Sequence, residues 1–170
     1  MPRFALRTPA ALLLGLAVLG TSACGLLPGS EPVRDESGAI TEADTDADVF
    51  SLAVGDCTND GDEAESTEAA EIATVSVVPC DEPHDNEIYS SHLLPGDDYP
   101  GEETVLQTAD EVCHEAFAGF VGLAYEDSVY DFWPMYPTEA SWAQDDREVL
   151  CLVYHGDLEP VTGTLEGIAG

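Results

Sequence analysis

Hydrophobic and polar residues are distributed along this chain in three distinct patterns. The first is an uninterrupted apolar run over residues 10–19, preceded by Arg3 and Arg7 and followed by the small residues Thr21, Ser22 and Ala23. The run is roughly half the length a bilayer-spanning helix needs, so the first 23 residues read as a cleavable secretion signal. From residue 25 to residue 48 isolated apolar residues sit among Gly, Pro, Ser, Asp and Glu with no helical or strand period. That composition predicts a disordered tether, which builds no core.

The third pattern fills residues 49–170 and has the size of a single domain. Short β-branched and aromatic runs bounded by Pro and Gly, at residues 73–78 and 88–94, predict strands. Between Glu102 and Gly122 the period changes, with Val105, Ala109, Val112, Ala116 and Phe120 recurring at three or four and joined by Leu106, Cys113 and Phe117. This is the signature of an amphipathic helix with one buried face. Residues 129–136 and 149–154 read as further strands, and 163–168 as a short edge strand. The predicted class is therefore α+β, a small mostly antiparallel sheet packed by one main helix.

Cysteines add staples to this picture. The domain holds four, Cys57, Cys80, Cys113 and Cys151, and an even number in a secreted chain implies disulfides. Of the three pairings, Cys57 with Cys80 and Cys113 with Cys151 join segments that read as neighbouring elements. A four-cysteine zinc site would ordinarily show a C-x-x-C pair, which this chain lacks.

A fifth cysteine, Cys24, closes the sequence Thr21-Ser22-Ala23-Cys24. This resembles the bacterial lipobox, in which small residues precede a lipid-accepting cysteine. The resemblance implies acylation of Cys24, palmitate included, and more than one acyl chain is what stable anchoring requires. The expected organisation is a lipoprotein signal peptide (1–23), a lipidated cysteine and acidic tether (24–48), and a domain (49–170) on the extracytoplasmic face of the bacterial cell membrane.

Charge narrows the partners. The formal net charge is −31, and outside the leader the only cations are Arg34 and Arg147. Such a field repels nucleic acid and anionic lipid surfaces and favours cationic partners. The chain contains no lysine, which excludes Schiff-base, Walker-lysine and lysine-base chemistry, and no nucleotide-binding or hydrolase motif is present.

Several fragments together carry a family likeness: Val54-Gly55-Asp56-Cys57, Pro79-Cys80-Asp81-Glu82-Pro83-His84-Asp85-Asn86-Glu87, Cys113 in the helix, Pro137, Trp142, Arg147-Glu148-Val149-Leu150-Cys151, and Thr162-Gly163-Thr164-Leu165. They resemble the actinobacterial septum-formation domain family, small extracytoplasmic domains often carried by lipoproteins. The resemblance covers nearly the whole domain and implies a link to cell division. It departs where Asp146 precedes Arg147, after Gln144-Asp145, in a turn where a glycine would be usual.

Two clusters are candidates for function. In the first, His84, Asp85 and Glu87 can ligate a metal; the competing reading sets them in tight turns made by Pro79 and Pro83, with polar groups bonding the local backbone. The second is the aromatic concentration Tyr130, Phe132, Trp133, Tyr136 and Trp142, which either packs the core or lines a groove for a partner. Adjacent residues Cys113 and His114 diverge on a helix, and a bridged cysteine is no nucleophile. The acids at Asn59 to Glu65 fit neither register of a calcium loop. The residues read as a non-catalytic binding or scaffold domain needing no cofactor, with the membrane and an envelope or division protein as partners. The alternative is a metal-binding or metal-dependent envelope enzyme built on His84, Asp85 and Glu87.

Overall fold

The computed structural model of the chain describes residues 29–60 and 72–168. Cys24, the leader, the first residues of the expected tether and the acids at 61–65 lie outside the described residues. Among the described residues six strands form one sheet: β1 (Asp44–Asp48), β2 (Cys57–Asn59), β3 (Thr74–Val78), β4 (Asn86–Leu93), β5 (Tyr130–Met135) and β6 (Glu148–His155). Their order is β1-β3-β2-β4-β6-β5, and every pairing is antiparallel. A long helix, α1 (Glu102–Val121), follows β4, and a single turn, α2 (Glu139–Trp142), precedes β6. No described helix is long and apolar enough to cross a membrane.

The α+β architecture with one main helix and two disulfides agrees with the pattern of the sequence. Helix α1 buries Val105, Ala109, Cys113, Phe117 and Val121, a strict four-residue stripe. Leu106, grouped with that stripe by period, is instead exposed, because it lies about 100° round the helix from Val105. Glu102 and Glu103 face the positive end of the helix dipole. Gly122 ends the helix in the left-handed conformation (φ 84°), its N–H donating to the Ala118 carbonyl.

Strand alternation gives the sheet two apolar faces. On β6, Val149, Cys151 and Val153 face α1 together with Tyr89 and Leu94 and pack with Phe117 of the helix, while Leu150 and Leu152 point the other way with Ile88 and Val77. A single helix cannot cover both faces. The second is covered by chain that the sequence reads as tether: Ile40 and Ala47 are buried in the second cluster beside Leu52. The ordered unit thus begins by Gly29 and not at residue 49. The sequence Asp44-Thr45-Asp46-Ala47-Asp48 buries one side chain fully, and β1 is held by its pairing with β3. Composition carries no signal of such a strand. Ahead of it, the Ser30 N–H donates to the Asp46 carbonyl and the Asp48 N–H to the Ser30 carbonyl. At Gly29 a Cβ would stand 2.5 Å from the Asp48 nitrogen, so only glycine permits that approach.

The edge strand expected at 163–168 is also absent. Val161 makes an isolated bridge with His84, after which Gly163 and Gly167 turn the chain through left-handed conformations (φ 85° and 64°). Between them Leu165 is buried against the α1 side of the sheet. The two disulfides are Cys57–Cys80 and Cys113–Cys151, with Cα atoms 5.3 and 5.4 Å apart. Closing loops with separations of 23 and 38 residues, each stabilises by roughly 3 to 4 kcal/mol on the loop-entropy model.

Candidate functional site

The polar centre of the molecule is assembled from the two most specific sequence fragments. In Val54-Gly55-Asp56-Cys57, Gly55 turns at φ 94° and its N–H donates to the Ile88 carbonyl at 2.7 Å, which delivers Asp56 and Cys57 to the sheet. Asp56 is 2% exposed. Its carboxylate accepts two bonds from the Arg34 guanidinium, at 2.5 and 2.7 Å, and a third from the Ala53 N–H at 2.8 Å. The hydrogen bond to Asp56 raises the Arg34 pKa further. Arg34 also donates to the carbonyls of Gly38 and Ser51. Arg34, one of only two cations after residue 7, thereby pins the N-terminal segment to the domain through a fork-to-fork pair.

The second fragment begins with a turn at Pro79, where the Glu82 N–H donates to the Pro79 carbonyl. It then runs His84 past Val161 through two backbone bonds, of 3.0 and 2.8 Å. The His84 side chain is fully buried. Its Nδ1 lies 2.9 Å from the Glu82 carbonyl oxygen; a carbonyl only accepts, so Nδ1 carries the proton. Nε2 is then the lone-pair nitrogen, and it is buried without a hydrogen-bond partner among the described residues.

Glu87, 3% exposed, stands opposite Cys57 in the β2/β4 pairing. One carboxylate oxygen accepts from the Thr164 hydroxyl at 2.7 Å and the other from the Leu165 N–H at 2.6 Å. The carboxylate therefore fastens the C-terminal segment to the sheet. A His84 ring nitrogen, a Glu87 carboxylate oxygen and Cys57 Sγ all lie within 4.8 Å of one another.

Asp85 does not join this cluster. Its carboxylate accepts from the Asp60 N–H at 2.9 Å, and it lines a small concavity with Asp60, Tyr154 and Glu159. The structure thus keeps His84 and Glu87 from the sequence triplet and replaces Asp85 with Cys57. Sequence reasoning missed Cys57 as a neighbour because the three-residue strand β2, which carries it, has no run long enough to read.

The aromatic residues are split between the two faces and do not line one groove. Phe132 packs edge-on to Tyr125 and against Phe117 below α1, with Tyr130 and Tyr136 on the same side. Trp133 packs on the opposite face, and its indole N–H donates to the Asn86 side-chain oxygen at 2.9 Å. Trp142 is buried, donates to the Asp97 carbonyl, and carries the Arg147 guanidinium 3.8 Å above its ring. The turn ahead of Arg147, where a glycine would be usual, is made by Asp145 at φ 69°. Aspartate is one of the residues that tolerate this left-handed conformation. Asp146 then accepts from the Glu148 N–H at 3.0 Å.

A family model described as septum formation matches residues 54–169. The chain belongs to the septum-formation family. The match begins at Val54, so it includes Asp56, both disulfides, His84, Glu87 and the Thr164-Leu165 contact, and it excludes the β1 segment and Arg34. The septum-formation domain is therefore completed here by chain outside the family's matched span. Comparison with curated proteins finds no match, and comparison with solved structures finds none.

Proposed function

We propose that this chain is a lipoprotein of the cell envelope, anchored through an acylated Cys24 on the extracytoplasmic face of the membrane. In this reading its septum-formation domain acts by binding a partner in the division or wall-growth machinery, without catalysis. Family membership carries the coarse part, an association with septum formation.

One observation supports the finer part: Asp56, Asn86 and Glu87 of the family fragments are engaged in holding the fold. Asp56 receives Arg34 and the Ala53 N–H. Glu87 holds Thr164 and Leu165. Asn86 bridges Trp133 and Asp60. A binding module needs such a rigid frame and no reactive group. The acidic surface favours a partner presenting cationic groups and makes the encounter sensitive to salt.

The reading is tested by complementation in the native host depleted of this protein. The full chain should restore normal septa, whereas an anchor ending at Pro28 should not, and Cys24→Ser should lose both the membrane fraction and the septa. Restoration by the anchor alone would exclude the domain from the function.

A further inference from the structure

We infer that reduction of the Cys57–Cys80 disulfide opens a zinc site formed by Cys57, His84 and Glu87. Cys57 Sγ, a His84 ring nitrogen and a Glu87 carboxylate oxygen are already within 4.8 Å of one another, and all three residues are buried. Donors of a tetrahedral zinc centre stand roughly 3.5 Å apart, given metal bonds of about 2.0 to 2.3 Å. The cluster therefore needs only a small contraction.

His84 has the arrangement of a metal-binding imidazole. Its Nδ1–H is fixed on the Glu82 carbonyl, the support that ligating histidines ordinarily have, and its Nε2 lone pair is buried with no hydrogen-bond partner among the described residues. A buried acceptor left unmade costs stability, and a cation is the partner that would satisfy it. Glu87 is oriented in the same way, by Thr164 and Leu165. A carboxylate retains further lone pairs after two such bonds.

In the oxidised domain Cys57 Sγ is bonded to Cys80 and offers no thiolate, so the site is closed. Cys57 is buried, but Cys80 is only half-buried, so Cys80 is the end of the bridge nearer to an incoming nucleophile. A thiolate of a small dithiol, or of a dithiol oxidoreductase, attacks Cys80 Sγ and expels the Cys57 thiolate beside His84. The second thiol of the reductant then attacks the mixed disulfide and releases the Cys80 thiolate. Two electrons pass from the dithiol to the domain, and the reductant leaves as a disulfide. Zn²⁺ takes the Cys57 thiolate; of the two protons that came with the dithiol, one stays on the Cys80 thiol and the other goes to solvent. The Cys113–Cys151 bridge, enclosed under α1, is left intact.

The test uses the full chain with Cys80→Ser, which frees Cys57 without any reductant and keeps Cys113–Cys151. Cobalt(II) is the probe, since tetrahedral thiolate coordination gives intense visible and charge-transfer bands that binding to surface carboxylates does not. The expected result is one coloured cobalt per chain, displaced by zinc, with at least tenfold weaker binding after His84→Gln is added; oxidised wild type stays colourless. Cys24 is unchanged in both variants and cannot account for a loss caused at His84.

If Cys80→Ser does not fold, the reduced wild-type chain is alkylated with and without zinc. Zinc should then shield Cys57 selectively, and the His84→Gln change should abolish that shielding. A folded Cys80→Ser chain that stays colourless, or binding indifferent to His84→Gln, overturns the inference. So does alkylation of Cys57 that zinc does not slow.

Discussion

The two disulfides make the same covalent bond in opposite surroundings. Cys113 and Cys151 are both fully buried and join α1 to β6 within the larger apolar cluster. Cys57 is as deeply buried, yet its partner Cys80 is half-buried, and the neighbours of Cys57 are His84 and Glu87. The first bridge is a staple inside a hydrophobic core. The second lies where the two family fragments meet. Its polar neighbours also tie down the ends of the domain: Asp56 holds the N-terminal segment through Arg34, and Glu87 holds Thr164 and Leu165. The first bridge is surrounded by buried apolar groups, and the second by a few directed polar bonds beside a smaller apolar cluster.

Breaking the core staple should have the largest effect. Replacing both Cys113 and Cys151 by alanine should cost about 4 kcal/mol or more, because the loop entropy is joined by poorer apolar packing under α1. Alanine at Cys57 and Cys80, closing the shorter loop, should cost nearer 3 kcal/mol. Denaturant unfolding of the two double variants would rank them; a reversed order would contradict the assignment of Cys113–Cys151 to the core.

Next in size is the ionic pin. Asp56→Ala removes three bonds and leaves Arg34 mostly enclosed without its partner, at a cost of about 2 to 3 kcal/mol. Because Asp56 adjoins Cys57, the change should also speed reduction of Cys57–Cys80 by a mild dithiol and leave Cys113–Cys151 untouched. Timed alkylation and mass spectrometry read both bridges at once.

Glu87→Gln should cost about 1 to 2 kcal/mol, since charge-assisted bonds to Thr164 and Leu165 become ordinary ones. Hydrogen exchange should show the loosening at residues 161–166, with α1 unaffected. Exchange rising instead along α1 would mean that the C-terminal segment and the helix unfold together.

The smallest effect belongs to the helix side. The Tyr89 hydroxyl donates to the Cys113 carbonyl at 2.7 Å, and Tyr89→Phe should cost about 1 kcal/mol. Burial pushes the Tyr89 pKa up, with Asp110 adding to it. The folded chain therefore holds this proton when the unfolded chain has lost it, and above about pH 10 stability falls as pH rises. Tyr89→Phe should flatten that alkaline decline, which thermal unfolding across alkaline pH would measure.

Why the sequence disclosed the surroundings of the first bridge better than those of the second follows from the same contrast. Helix α1 and strands β3, β4, β5 and β6 owe their positions to apolar side chains at a regular period, and period is visible in a sequence. The Cys113–Cys151 pairing followed from placing two of those elements. Strand β1 is held by backbone pairing and a single buried alanine, and the contact of Glu87 with Leu165 joins residues 78 apart in the chain. Neither leaves a local signature. His84 and Glu87 were legible as a polar cluster, but Cys57 joins them only through the β2/β4 register, and Asp85 leaves it because its carboxylate accepts the Asp60 N–H instead. Arg34 had one signal, as one of two cations after residue 7 in a chain this acidic.

The claim that the domain acts by binding meets its most direct test in reversible crosslinking of the full chain in living cells of the native host. The control is an anchor ending at Pro28, because the ordered unit already includes Gly29. Enrichment of division or wall-synthesis proteins with the full chain only, weakened by added salt, is the predicted result. Identical enrichment by the anchor alone, or none that depends on the domain, would contradict it.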